Sequence, residues 1–200
     1  MEQKLKGKKV AILSADGFEQ AELFEPKKAL EEAGADVKVV SLKSGTIKGW
    51  NQSDWGDSIA VDVVVDEVKG DEFDALMLPG GVINPDKLRM QEKAVKFVKS
   101  FFDAKKPIAA ICHGPQTLIE TKALKGHTLT SWPSLKTDLF NAGAKWVDKE
   151  VVVDQGLVTS RKPADIPAFN KKMIEEFAKE SSQHRYTSRE MEKDQSPRLH

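Results

Sequence analysis

Cys112 is the chain's only cysteine; it follows the apolar run Ile108-Ala109-Ala110-Ile111 and precedes His113-Gly114-Pro115-Gln116. The run reads as a buried strand, Gly114 as a turn, and Pro115 as a first helical residue, where a missing N–H costs nothing. A thiol at such a junction meets unpaired amide N–H groups and the positive end of a helix dipole, which together favour thiolate. A lone cysteine is otherwise most often a small buried hydrophobe. The order strand, Cys, His, Gly, Pro points instead to a nucleophile at a sharp strand-to-helix turn.

Two other strand ends carry matching chemistry. Val10-Ala11-Ile12-Leu13-Ser14 runs into Ala15-Asp16-Gly17-Phe18-Glu19, a glycine turn that delivers Glu19 to a helix start. An acid there is ordinarily a helix N-terminal residue favoured by the dipole. Within reach of a thiol, its carboxyl group could instead exchange a proton with it or orient it. Ala75-Leu76-Met77-Leu78-Pro79 leads to Gly80-Gly81, whose N–H groups could receive an oxyanion, although the pair alone is equally a tight turn. His113 is a candidate base, but adjacent residues face different ways on regular elements, so pairing it with Cys112 requires a strained turn. The other histidines, His127, His184 and His200, do not assemble metal-ligand spacing with cysteines and acids, and no phosphate-cradling glycine motif occurs. Neither a metal nor another cofactor is expected.

Further strands are predicted at Val37–Leu42 and Leu157–Ser160. Helices are predicted over 19–33 (bent at Pro26), 91–103, 115–121, 134–141 and 164–180 (split at Pro167). Strands alternating with helices imply an α/β single-domain sandwich, with a mostly parallel central sheet covered on both faces. In such sheets ligands collect beyond the carboxyl ends of the strands, where all three candidate turns lie. Residues 46–68, with Gly45, Gly49, Trp50, Trp55 and Gly56, read as an antiparallel ribbon packed by the two tryptophans, without chemistry of its own. Trp146 and Val151-Val152-Val153 suggest a short hairpin beside the last core strand. The domain is expected to span 1–180, and the charged segment 181–200 is expected to be a disordered tail.

The chain has 200 residues, enough to bury a core without disulfides or metals, and one cysteine cannot form an internal disulfide. Lys plus Arg and Asp plus Glu number 31 each, which gives no electrostatic reason to expect nucleic-acid or membrane binding. The N-terminal apolar run is too short for a signal-peptide core or a membrane span, so a cytoplasmic protein is expected.

Taken together, these residues resemble the PfpI family, a branch of the superfamily that includes the parkinsonism-associated deglycase and the class I glutamine amidotransferase-like domains, with a flavodoxin-like sandwich fold. The resemblance covers roughly Lys8 to Glu180. It rests on 15–19, on 78–81 followed by Pro85-Asp86, and on 110–116. Asn141-Ala142-Gly143-Ala144, Glu150 to Asp154 and 159–165 extend it, all in family order. It implies that Cys112 is the nucleophile, His113 its active-site neighbour, Glu19 the carboxylate contacting the thiol, and the N–H groups of Gly81 and His113 the oxyanion hole. It also implies a homodimer or ring of dimers in which an acid after the glycine turn, here Asp86, approaches His113 from the neighbouring subunit. Asp86 is shorter than the glutamate of some relatives. Amidotransferase chemistry lacks its distant His with an acid two residues on, since His127-Thr128-Leu129 does not supply one.

The roles implied are hydrolytic repair of glyoxal and methylglyoxal adducts on proteins or nucleotides, cofactor-independent conversion of those aldehydes to hydroxy acids, and peptide hydrolysis. The first two need one small pocket with a thiol, a proton shuttle and an oxyanion site, and they rank first. Peptide hydrolysis asks His113 to serve as both acid and base, and ranks second. From another class, a stress chaperone or redox sensor would use an exposed, ionised cysteine as a readout rather than in turnover.

Overall fold

The computed structural model describes residues 2–180. The strands are β1 (Lys9–Leu13), β2 (Phe18–Glu19), β3 (Asp36–Ser41), β4 (Thr46–Asn51), β5 (Asp54–Ala60), β6 (Val63–Val64), β7 (Ala75–Leu78), β8 (Ile108–Ile111), β9 (Thr128–Leu129), β10 (Lys145–Trp146), β11 (Val152–Asp154) and β12 (Leu157–Ser160). The helices are α1 (Gln20–Glu32), α2 (Ile83–Arg89), α3 (Glu92–Asp103), α4 (Pro115–Ile119), α5 (Lys136–Asn141) and α6 (Ile166–Phe177).

A seven-stranded sheet in the order β11-β12-β8-β7-β1-β3-β6 forms the centre. Every pairing in it is parallel except β11 with β12. Continuous apolar runs suit such strands because both faces are covered, and all residues of β7 and β8 are buried. Alternation along the strands sends Leu76 and Ala110 into one layer with Phe97 and Phe101 of α3. Met77 and Ile111 face the opposite layer, with Leu23 of α1 and Phe169 of α6. β1, β7 and β8 are sheet neighbours, so their carboxyl ends lie side by side, as the sequence implied.

The expected ribbon is β4 and β5, antiparallel, with Trp50 and Trp55 edge to face at 5.5 Å. It also pairs with β2, Glu19 opposite Trp50, and so attaches to the start of α1. Three expectations are corrected. Residues 83–89 form a helix, α2, that was not among the predicted helices. Pro167 does not split the last helix but stands in its first turn, where the absent N–H is tolerated; a single tight turn at Pro163–Asp165 precedes it. Trp146 pairs with β9 in a separate two-stranded sheet, and only β11 makes the hairpin with β12. The segment 181–200 lies outside the described residues.

Candidate active site

Cys112 has φ of 61°, a left-handed conformation that non-glycine residues seldom adopt. Two backbone bonds from neighbouring segments hold it there. Its N–H donates to Ser160 O at 3.0 Å, and its carbonyl accepts from Trp132 N–H at 2.9 Å. The strain therefore falls on the cysteine, while Gly114 takes an ordinary helical conformation. Gly114 is needed for space instead: an added Cβ would stand 2.6 Å from Leu78 O.

The turn brings Cys112 Sγ to 3.3 Å from His113 Nδ1. The imidazole stacks on the Trp132 ring, centroids 6.0 Å apart and planes at 22°. Burial holds its pKa below the usual histidine range, so at neutral pH the ring is uncharged and able to accept the thiol proton.

The carboxyl group beside the thiol is that of Glu22, correcting the expectation for Glu19. Glu19 is the residue immediately before α1, half-buried and 3.5 Å from Gln52 N–H on the ribbon. Glu22 lies one helical turn further, which rotates it to the inner face of α1; it is completely buried. Its polar surroundings are the Cys112 thiol and the N–H groups of Gly80 and Gly81, although neither carboxyl oxygen completes a hydrogen bond of good geometry within the chain. Burial first, and the nearby Glu19 charge second, push the Glu22 pKa up to about 8. At neutral pH it is mainly a carboxylic acid and can donate a proton.

The expectation of a resting thiolate is corrected as well. Burial raises the Cys112 pKa, and ionised Glu22 raises it further, against the lowering influence of the His113 and Gly81 N–H groups directed at sulfur. Cys112 is only 7 % exposed. Acid and thiol sit close enough to titrate as one coupled pair, and below about pH 8 Glu22 is neutral, so its repulsion of a thiolate is absent. The resting site thus holds protons on both groups, with His113 as the neutral acceptor at the sulfur.

The glycine pair is fixed by contact. A Cβ on Gly80 would stand 2.5 Å from Glu22 Oε1 and 2.8 Å from Cys112 Cβ. Gly81 has φ of +81°, and a Cβ there would meet Gly17 O at 2.3 Å. The N–H groups of Gly81 and His113 converge on one sulfur, where they favour its ionised form. Asp86 lies in the first turn of α2, exposed to solvent. Among the described residues no group of three or more His, Cys, Asp or Glu is placed to hold a metal ion, and no helix is long and apolar enough to cross a membrane.

Sequence reasoning missed Glu22 and Trp132. Glu22 did carry a signal: with Pro26 and Leu30 it repeats at four-residue spacing, an acid inside the buried stripe of α1.

An α/β sandwich with a strained cysteine at a strand-to-helix elbow, flanked by a buried carboxyl group and a glycine turn from adjacent strand exits, defines the class. The chain belongs to the DJ-1/PfpI family, whose pattern matches residues 8–176. It is 48 % identical to general stress protein 18 of Bacillus subtilis over 84 % of this chain and 96 % of that protein. It is likewise 48 % identical to a deglycase of Pyrococcus abyssi over 83 % of this chain and 97 % of that protein. Further relatives at 43–48 % identity are also named deglycases. Among solved structures, Drosophila melanogaster DJ-1beta superposes with a TM-score of 0.78 at 33 % identity, covering 88 % of this chain and 94 % of that one.

Proposed function

We propose that this protein is a cysteine-dependent hydrolase of glyoxal- and methylglyoxal-derived adducts on proteins or nucleotides. The observation that carries this reading is the buried, protonated Glu22 beside a thiol that also faces two backbone N–H groups. The deglycase names of several relatives support it.

In the proposed reaction Cys112 Sγ attacks the carbinol carbon of R–NH–CH(OH)–CO–CH3. The C–S bond forms, the C–N bond breaks, His113 Nδ1 takes the thiol proton, and Glu22 gives its own proton to the departing amine, becoming a carboxylate. The resulting hemithioacetal rearranges when this Glu22 carboxylate takes the carbinol C–H proton and returns it to the neighbouring carbon. The developing enediolate oxygen is held by the Gly81 and His113 N–H groups. The product is a lactoyl thioester, which water hydrolyses to lactate and free thiol. No external oxidant or reductant is needed. Free methylglyoxal enters the same sequence by adding directly to sulfur, which yields glyoxalase-type turnover.

A homodimer or ring of dimers would bring Asp86 of one copy toward His113 of another, and a reducing cytoplasmic compartment suits a lone thiol that must stay reduced. The second reading, a peptidase, draws on the 3.3 Å contact between Cys112 and His113. The test uses the full chain in buffer free of primary amines, with a preformed methylglyoxal adduct, measuring lactate and recovered amine. Multiple turnovers that vanish in Cys112→Ala support the hydrolase. Stoichiometric consumption without product indicates a sensor, and cleavage of casein or a fluorogenic peptide by size-separated oligomers indicates a peptidase.

A further inference from the structure

Asn84 is fully buried in the first turn of α2, yet it packs no ordinary core. Its Oδ1 accepts the Ala15 N–H at 2.7 Å, just past the end of β1. Its Nδ2 donates to Pro79 O at 3.1 Å and to Gly80 O at 3.2 Å, just past the end of β7. One side chain therefore joins two strand exits: one leads through Gly17 and Glu19 into the helix carrying Glu22, and the other carries the glycine pair.

The two exits interlock around that clamp. Glu19 N–H donates to Gly80 O at 3.3 Å, so this carbonyl receives both Asn84 and Glu19. A Cβ on Gly17 would meet Ile83 Cβ at 2.4 Å, and one on Gly81 would meet Glu19 N at 2.6 Å. No slack remains between the loops. From this geometry we infer that Asn84 is a positioning residue, which fixes the Gly80-Gly81 turn so that the Gly81 N–H stays aimed at the reacting centre and Glu22 keeps its distance from sulfur. A buried amide with three satisfied bonds suits this task, because its loss leaves the buried Ala15 N–H without a partner and frees the glycine turn from α2.

This inference builds on the proposed reaction, and its test keeps the two separable by pairing turnover with iodoacetamide alkylation of Cys112, which needs no substrate. Asn84→Leu removes all three bonds without adding charge. Asn84→Asp keeps the acceptor for Ala15 N–H and loses only the two donated bonds. For folded variants, judged by circular dichroism and thermal melting, kcat for the methylglyoxal adduct should fall about 10²-fold with KM changed less than about threefold, because a donor to the transition state is displaced. In Asn84→Leu the pH midpoint of alkylation should rise, since the Gly81 N–H that favours thiolate is no longer held toward sulfur. A folded variant that retains kcat within threefold and the wild-type alkylation profile overturns the inference. So does failure of both variants to fold, which would make the clamp a requirement of the fold alone. Absence of turnover in the wild-type protein overturns the proposed reaction and leaves the alkylation midpoint to decide the role of Asn84.

Discussion

Cys112 Sγ and His113 Nδ1 lie 3.3 Å apart although they belong to consecutive residues, a contact made possible by the positive φ of Cys112. In a strand the two side chains would point to opposite faces, and in a helix they would diverge by about 100°. The conformational strain at the cysteine is what converts a sequence neighbour into a chemical partner.

Replacing Glu22 by Gln separates its chemical role from its energetic one. With a folded pKa of about 8 against an ordinary 4.5, Glu22 contributes stability that is fully present below 4.5 and lost as pH rises through about 8, because the unfolded chain sheds the proton first. Glu22→Gln escapes that loss. Its melting temperature should match wild type near pH 4.5 and exceed it by roughly 5–10 °C near pH 8.5, while lactate release falls at least about 10²-fold. Calorimetry across pH and the turnover assay check the two halves; a melting difference that shrinks with rising pH contradicts the assignment.

Gly80→Ala should disable the site while leaving secondary structure intact. The new methyl collides with the Glu22 carboxyl and the Cys112 Cβ, and the buried surroundings cannot yield without moving one of them. A stability loss of about 1–3 kcal/mol is expected from overpacking, alongside turnover reduced at least about 10²-fold. Chemical denaturation with parallel kinetics gives both numbers.

Trp132→Ala should raise the His113 pKa toward its ordinary value near 6.5. Burial is what depresses it, and the stacked indole, itself 40 % exposed, is part of the cover. An NMR titration of the His113 ring protons reads the change directly. An unshifted midpoint would place the source of the depression elsewhere.

Arg161→Met should destabilise the fold at the exit of β12. The Asp165 carboxylate, with only 4 % of its side chain exposed, accepts the Arg161 backbone N–H and Nε at 2.9 Å and Nη2 at 3.0 Å. Methionine preserves the stem and the backbone bond but leaves a buried charge without its counter-ion, costing about 3 kcal/mol. A fall in the urea midpoint at constant m-value is the expected result.

The core strands were legible because parallel sheets write themselves as short apolar runs. The strand-to-helix elbow at Cys112 was legible because its lone cysteine, glycine and proline fall within four residues. α2 was not, since Asn84-Pro85-Asp86 has turn composition and only packing decides that it begins a helix instead. The assignment of the thiol's carboxyl partner to Glu19 failed for a related reason. The glycine turn points to the next acid in the chain, whereas the sulfur lies on the inner face of α1, one turn further on.

The order of residues by itself determined the parallel α/β sheet, the three neighbouring strand exits, and Cys112 as the residue between strand and helix, because each follows from local patterning and backbone preference. Only the tertiary structure decided which carboxyl group meets the thiol, that burial keeps both protonated at neutral pH, and that Asn84 ties two strand exits together. Those outcomes depend on desolvation and on contacts between segments up to 90 residues apart, from Glu22 to Cys112. Neighbouring residues in the chain carry no record of either.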